Sequence, residues 1–300
     1  MNSNHIKYLT PEIINEGTPI WVNPVGGLGD ILMLSTALKR AHDAHGRKFR
    51  LARRTRYTRF FIHHPAIEEI GNPPEDARIV VNDYWSREEY ADPNTPSLHI
   101  LYKIFGVPEC TDSELYLPLD DMDSDEATRI LLENIPFGER NVFIATSSES
   151  PRKMMHPFKW HIIVEKLLAQ RCSVFQLGHS GDIPIVGAYS LLGVTTPMQV
   201  CRLLEKAQLV ITPDNFVMHA AQLARVPAIA LFGPTEASHY AYPRHIALQA
   251  DKRQCPHSDN CLGPHVADNY PTPCPLNEKH CMNTIDESKI VDIAMSILNK

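Results

Sequence analysis

The segment Ile20-Trp21-Val22-Asn23-Pro24-Val25-Gly26-Gly27-Leu28-Gly29-Asp30 passes from an apolar run through a glycine-rich loop. It enters a stretch in which Ile31, Leu34, Leu38 and Ala41 share one helical face. Read as strand, loop and helix, this is a unit of an α/β fold. The glycines admit backbone conformations and close approaches denied to other residues, and the helix start offers free N–H groups at the positive end of its dipole. The alternation continues along the chain. Arg78–Val81, Val142–Ala145, Val174–Leu177, Leu209–Ile211 and Ala228–Phe232 have the length and composition of buried strands. Most are followed by helix-period segments, as Ile163, Leu167 and Leu168 mark after Val142–Ala145. Strands alternating with helices predict parallel, doubly wound sheets.

A chain of 300 residues, 43% hydrophobic and 21% charged, is long enough for two domains with their own cores. Its composition excludes disorder, collagen and coiled coil as whole-chain readings. The formal charge of -6 argues against a polyanion binder that is basic over its whole surface. No apolar run reaches the roughly 18 to 20 residues of a membrane span, so no integral membrane contact is expected. The start Met1-Asn2-Ser3-Asn4-His5 lacks the basic and apolar parts of a secretory signal, and a cytoplasmic location is the expectation. Seven cysteines without such a signal favour thiols or metal ligands over a disulfide scaffold.

The run Asp120-Asp121-Met122-Asp123-Ser124-Asp125 is acidic and almost without apolar content. It reads as solvated charge in an interdomain connection that leads to a helix around Thr128–Leu132. Residues 1–120 are therefore assigned to a first domain, 121–140 to a linker and 141–285 to a second domain. In 286–300, Ile290, Ile293, Ala294, Ile297 and Leu298 recur at helical spacing, which predicts an amphipathic terminal helix able to pack back across the boundary.

A dinucleotide fingerprint needs a third glycine where Leu32 stands, and an acidic residue after the second strand where Arg53 and Arg54 stand. No Gly-Lys-Ser/Thr phosphate loop occurs either. Asp30 can serve its helix as a first-turn carboxylate favoured by the dipole, or serve a reaction as a general base. Further on, Ile211-Thr212-Pro213-Asp214-Asn215-Phe216-Val217-Met218-His219-Ala220-Ala221 runs from a strand into a helix. Asp214 or Asn215 can cap that helix, with His219 in its first turns. The turn Phe232-Gly233-Pro234-Thr235 presents backbone and hydroxyl groups at a strand's carboxyl end, where open sheets bind ligands.

In order and kind these motifs resemble the ADP-heptose:lipopolysaccharide heptosyltransferase family, over nearly the whole chain. The family's Gly-x-Gly-Asp loop is similar to Gly27-Leu28-Gly29-Asp30, and its Asp-Ser/Thr-Gly-x-x-His segment to Asp214–His219. Its Phe-Gly-Pro-Thr turn stands unchanged as Phe232–Thr235. The resemblance implies a GT-B fold, in which two doubly wound Rossmann-like domains face across a cleft, the first binding the acceptor and the second the nucleotide sugar. It implies that Asp30 deprotonates the acceptor hydroxyl beside Gly27 and Gly29. An inverting displacement at the anomeric carbon follows, with ADP-heptose the favoured donor and no catalytic divalent metal. For the donor it implies Thr146 and Ser147, a lysine before Trp160, and Gly178, Asp214, Asn215, Phe216, His219, Gly233 and Thr235. Lys153 and Lys159 compete for the lysine role. The spacing of Lys153, Pro157 and Trp160 resembles the Lys-Pro-Trp run of the autotransporter-heptosylating branch and favours Lys153. The chain departs from the family where Asn215-Phe216 replaces a small residue and glycine, because phenylalanine does not admit the same close approach of a ligand to backbone.

Arg47, Lys48, Arg50, Arg53, Arg54, Arg56 and Arg59 form a basic run in an otherwise acidic protein. Either the outward faces of a strand and a helix happen to be basic, or Arg53, Arg54 and Arg56 receive acceptor phosphates, which guanidinium forks match. A phosphorylated core oligosaccharide of lipopolysaccharide fits that site as an anionic glycan acceptor. Modified DNA fits it too: GT-B enzymes also glycosylate modified bases, and Tyr57, Phe60 and Phe61 interleave with the cations as an extruded base would require. In that case a UDP-sugar would be transferred to a hydroxymethylated base. A third reading keeps the fold and nucleotide binding without catalysis.

Cys255, Cys261, Cys274 and Cys281 gather four soft ligands in a proline-rich segment, and a loop of that length needs a staple. Likeness to the autotransporter-heptosylating branch, which carries an iron on four cysteines in a corresponding region, implies structural Zn or Fe there. His257, His265 or His280 could replace one ligand. Cys110, Cys172 and Cys201 read as buried thiols.

Overall fold

A computed structural model of the chain describes residues 4–53, 58–119, 125–253, 255–256, 261, 272–276 and 280–300. It divides into two compact units, Met1–Asp120 and Asp121–Lys300; most of the acidic run, 120–124, lies outside the described residues.

The first unit runs β1 (His5–Ile6), α1 (Pro11–Asn15), β2 (Ile20–Asn23), α2 (Leu28–His45), β3 (Phe49–Ala52), β4 (Ile67–Gly71), β5 (Arg78–Val81) and α3 (Ser97–Ile104). Its strands form a sheet in the order β1-β5-β2-β3-β4, and every pairing is parallel. The apolar face foreseen for α2 is its buried face, with Ile31, Leu34, Leu38 and Ala41 wholly excluded from water. Gly46 ends the helix at φ +65°, a left-handed position suited to glycine. The chain passes from the edge strand β1 to β2, moves outward through β3 to β4, and then crosses back to β5 on the other side of β2. The loops after β2 and β5 therefore leave the sheet side by side, at the topological switch point where open sheets bind ligands.

The second unit runs α4 (Glu126–Asn134), β6 (Asn141–Ala145), α5 (Pro157–Ala169), β7 (Ser173–Gly178), β8 (Tyr189–Leu192), α6 (Pro197–Leu204), β9 (Leu209–Pro213), α7 (Phe216–Leu223), β10 (Ala228–Phe232), α8 (Ala237–Tyr240), β11 (Ile246–Gln249) and α9 (Glu287–Leu298). The sheet order is β11-β10-β9-β6-β7-β8, again with every pairing parallel. Strands β6, β9 and β10 are buried along their whole length, as expected of central strands covered on both faces. The switch point lies at the β6–β9 pair.

The terminal helix α9 packs on α5 and on strands β9 and β10 of its own unit. Its Ile290 and Ala294 share a core with Trp160, Ile163 and Ile229. Asp286 caps it by accepting from the Ser288 N–H at 2.8 Å, and Lys159 of α5 donates to the Ile285 carbonyl at 2.7 Å and to Glu287 at 2.8 Å. Because Ile290 is fully buried, Ile290→Ala should lower the unfolding free energy by about 2 to 5 kcal/mol, read as an earlier midpoint in urea titration. An unchanged midpoint would show that α9 is not part of this core.

Candidate functional site

In the first unit the site is built on the β2–α2 loop. Asn82, fully buried at the end of β5, offers both halves of its amide to one residue: its Oδ1 accepts from the Val25 N–H at 2.7 Å, and its Nδ2 donates to the Val25 carbonyl at 3.0 Å. Asp30 is the third residue of α2. Its Oδ2 accepts from the Gly27 N–H at 2.8 Å, which makes it the helix-start carboxylate foreseen from the dipole. Its Oδ1 accepts from the buried Tyr84 hydroxyl at 2.6 Å. Gly26 has φ +94°, and a Cβ there would run into the Asp30 carboxylate. The glycine thus answers to both backbone and side chain. Gly29 lies in the first turn of α2.

Much of the basic run is committed to the fold. Arg47 donates to the Ile14 carbonyl at 2.5 Å and to Thr18 O, so it caps the carbonyls at the end of α1. Arg50 pairs with Glu68 at 2.9 Å and Glu69 at 3.2 Å and lies over the Trp21 ring. Arg53 donates to Ile70 O at 3.2 Å and remains exposed. Arg54, Arg56 and Tyr57 lie outside the described residues. Phe60 and Phe61 are buried in the core, so they are not surface rings on which an extruded base could stack.

In the second unit the predicted donor residues converge on the carboxyl ends of β6, β9 and β10. Lys153, in a short 3-10 turn Pro151–Lys153, donates to Asp214 Oδ2 at 2.8 Å, and Thr235 Oγ1 donates to the same oxygen at 2.8 Å. All three are buried. Burial works to raise the Asp214 pKa, but the charge and hydrogen bond of Lys153, with smaller help from His219 and Thr235, hold the carboxyl below its ordinary value. Asn215 caps α7 by accepting from the Val217 N–H at 2.8 Å, and its Nδ2 donates to the Ser147 carbonyl at 2.8 Å. Its one side chain therefore ties the ends of β6 and β9. Phe216 begins α7 and is half-buried.

Ser147 Oγ donates to Asp182 Oδ2 at 2.5 Å, and the His179 N–H donates to the same oxygen at 2.8 Å. The turn after β7 is folded against Gly178, where a Cβ would strike that carboxylate. Thr146 accepts from Gln176 Nε2 at 3.2 Å. His219 is buried in α7 with its Nδ1 2.7 Å from the Tyr242 hydroxyl, and burial drives its pKa down to about 4, so it is neutral at physiological pH. Lys159, bound to Ile285 and Glu287, fastens α9 and stands apart from this cluster.

The cysteine segment meets the same cluster. Cys255, Cys261, Cys274 and Cys281 are free thiols. Burial, followed by charge repulsion from Cys261, Cys255 and Cys274, pushes Cys281 up to about 11. Among the described residues no group of three or more His, Cys, Asp or Glu side chains is assembled as a metal site. His257 and His265 lie outside those residues, and His280 Nδ1 accepts from the Met282 N–H at 3.1 Å. Cys172 and Cys201 are buried, and Cys110 is partly so.

Sequence reasoning missed Asn82, Tyr84, Asp182, Arg152 and Tyr242. Asn82 and Asp182 were open to discovery, since each follows a strand at its carboxyl end; nothing local marks Tyr84 or Tyr242, whose partners are 54 and 23 residues away.

Two all-parallel α/β units with their loops gathered at switch points define the fold of the GT-B glycosyltransferases. The family model for glycosyltransferase family 9 (heptosyltransferase) matches residues 100–262, and the chain belongs to that family and is a glycosyltransferase. No curated protein matches the sequence. Among solved structures, the family 9 glycosyltransferase of Veillonella parvula aligns with TM-score 0.66 at 12% identity, over 94% of this chain and 97% of that one. ADP-heptose lipopolysaccharide heptosyltransferase II of E. coli aligns with TM-score 0.63 at 13% identity, over 94% and 99%. The dodecameric iron-containing heptosyltransferase TibC of E. coli, solved with ADP-D-beta-D-heptose, aligns with TM-score 0.68 at 17% identity, over 94% and 76%. No helix among the described residues is long and apolar enough to cross a membrane.

Three buried histidines set the acid response. Burial lowers His64 and His219 to about 4 and His245 to about 3, whereas unfolded histidine titrates near 6.5. Between those values the unfolded chain binds protons that the native one refuses. Their stabilisation is therefore complete above about pH 6.5 and is lost as pH falls toward 4, at no more than about 1.4 kcal/mol per pH unit per histidine. Thermal melts should show Tm falling steadily from pH 6.5 to 4; a flat profile would contradict the neutral buried state.

Proposed function

We propose that this glycosyltransferase moves a heptose from ADP-heptose to a hydroxyl of an anionic acceptor, a phosphorylated core oligosaccharide, with inversion at the anomeric carbon. The observation that carries this reading is the buried Lys153–Asp214–Thr235 cluster at the β6–β9 switch point. It holds a cation in place by its pairing with the Asp214 carboxylate, beside the Thr235 hydroxyl, and a placed cation is suited to the charge that builds on a departing diphosphate. The heptosyltransferase fold and the ADP-heptose complex of TibC support the choice of donor.

In this mechanism Asp30 takes the proton of the acceptor hydroxyl, whose oxygen bonds to the anomeric carbon as the bond from that carbon to the phosphate oxygen breaks. The leaving group departs as ADP, its charge met by Lys153. Tyr84 and the Gly27 N–H hold the two Asp30 oxygens, fixing the carboxylate against the helix start. Arg53 serves an acceptor phosphate, together with Arg54 and Arg56. The free thiols suit a reducing, cytoplasmic setting.

The cysteine segment fits a structural zinc or iron ion. The fit is one of donor chemistry, four soft sulfurs carried by one segment, which are not assembled as a site among the described residues, and the Arg152 guanidinium lies 3.4 Å from Cys261 Sγ to offset the negative charge of bound thiolates. With Cys255, Cys261, Cys274 and Cys281 all ligating, no position would remain for substrate, so the ion would staple the segment and take no part in transfer.

Thermal shifts with ADP, UDP, GDP, CDP and dTDP test the donor. Ligand at about 100 times its Kd adds roughly 2.7 kcal/mol, and ADP alone should do so. A response to UDP would move the donor to a UDP-sugar and the acceptor to a modified base, and silence toward all five would favour a protein without transfer activity. Asp30→Asn should retain ADP binding and lose about 10²- to 10⁴-fold in transfer rate; wild-type turnover would remove Asp30 from the base role. Elemental analysis should find one zinc or iron per chain, and metal-free protein that is fully folded would refute the staple.

A further inference from the structure

The turn that carries Lys153 belongs to no strand or long helix. The lysine stem is flexible, so its ammonium is only as well placed as the three residues beneath it. Its neighbour Arg152 is buried and spends its guanidinium on the cysteine segment: Nε donates to the Thr272 carbonyl at 3.1 Å, Nη2 to Thr272 Oγ1 at 2.9 Å, and Nη1 to Cys261 Sγ at 3.4 Å. These partners are 109 and 120 residues away in sequence. Buried, multiply bonded guanidinium forks fix geometry as well as charge.

The other end of the cysteine segment bears on the other side of the ion pair. Gly233, in the turn that leads to Thr235, has no room for a Cβ, which would run into the Met282 side chain and meet Cys281 Sγ at 3.4 Å. Thr235 in turn donates to the Asp214 oxygen that receives Lys153.

We propose that Arg152 is a positioning residue for the donor site, anchoring the Lys153 turn to Cys261 and Thr272 so that the cysteine segment sets where the Lys153 ammonium meets the donor diphosphate. The inference rests on the reading of Lys153 as a diphosphate ligand. Displacement of such a group by about an ångström is enough to forfeit much of its effect. The predicted signature is therefore a loss confined to the phosphates.

The experiment is calorimetric titration of the purified full chain with ADP and with adenosine. Arg152→Gln should weaken ADP binding about tenfold and leave adenosine affinity unchanged, with the thermal melt still cooperative. Cys261→Ser, which touches one of the three Arg152 bonds, should give a smaller loss of the same selective kind, and the double variant should lose no more than Arg152→Gln alone, because the Cys261 contact acts through Arg152. ADP affinity at the wild-type level in Arg152→Gln would overturn the proposal, as would equal losses for ADP and adenosine, which mark general damage. Additive losses in the double variant would overturn the route through Cys261. Should the wild-type protein bind adenosine as tightly as ADP, the diphosphate role of Lys153 is what fails; should it prefer ADP while Arg152→Gln does too, undiminished, only the positioning role fails.

Discussion

A lysine ammonium and an aspartate carboxylate held out of water at the end of β9 constrain everything around them. Taking two such charges from solvent costs several kcal/mol per ion, and the cost is met only if each finds its partner and its remaining hydrogen bonds. Asp214 receives Lys153 and Thr235 on one oxygen. That requirement fixes three segments at once: the Pro151–Lys153 turn, the β9–α7 junction and the Gly233–Thr235 turn. It also accounts for the state of His219, since a further positive charge beside Lys153 would be buried without a carboxylate of its own. The energetic weight of the pair lies in what its removal would leave behind, an unpaired buried charge costing about 3 to 5 kcal/mol, more than in any surplus from its formation.

Both units meet the problem of a parallel switch point in the same way. Where neighbouring strands send their chains in opposite directions, the loops that leave them cannot continue the sheet ladder, and their backbone groups still need partners. An asparagine amide carries a donor and an acceptor on one short side chain. Asn82 uses both on Val25, and Asn215 uses its donor on Ser147 and its acceptor on the start of α7. These bonds give the loop backbone its partners at the strand ends.

The central strands were legible because burial on both faces makes them unbroken apolar runs, and α2, α5 and α9 because a single apolar face recurs at helical spacing. Strands β1, β4, β8 and β11 are not among those runs, for the converse reason: Ile67-Glu68-Glu69-Ile70-Gly71 and Tyr189-Ser190-Leu191-Leu192 are edge strands with exposed positions, and edges carry polar residues that blur the pattern; the interior strand β3 is absent too, its short run Phe49-Arg50-Leu51-Ala52 being broken by Arg50. The site was legible only as motifs. Asp30, Lys153, Asp214 and Thr235 each sit on a readable strand-to-helix or turn signal. Tyr84, 54 residues from Asp30, and Thr272 and Cys261, 120 and 109 residues from Arg152, come from distant segments joined only by folding. The basic run was open to two accounts in the sequence, and for two of its cations the fold supplies the partners: Arg47, before β3, bonds carbonyls at the end of α1, and Arg50, within β3, pairs with Glu68 and Glu69 of β4.

The departure from the family pattern at Asn215-Phe216 takes on a definite meaning in this setting. Glycine at the second position would be needed for the fold if the backbone there were left-handed, but Phe216 is the first residue of an ordinary α-helix and is not among the positive-φ residues. Nor does the first position need a hydroxyl, because the Asn215 amide does the capping. The fold therefore bears both changes without strain. What they alter is the surface at the start of α7, where a half-buried aromatic ring adjoins a helix terminus that would otherwise present bare backbone N–H groups to a ligand. The two residues thus change the surface at this helix start while leaving the Lys153–Asp214 pair and its hydrogen bonds as they are.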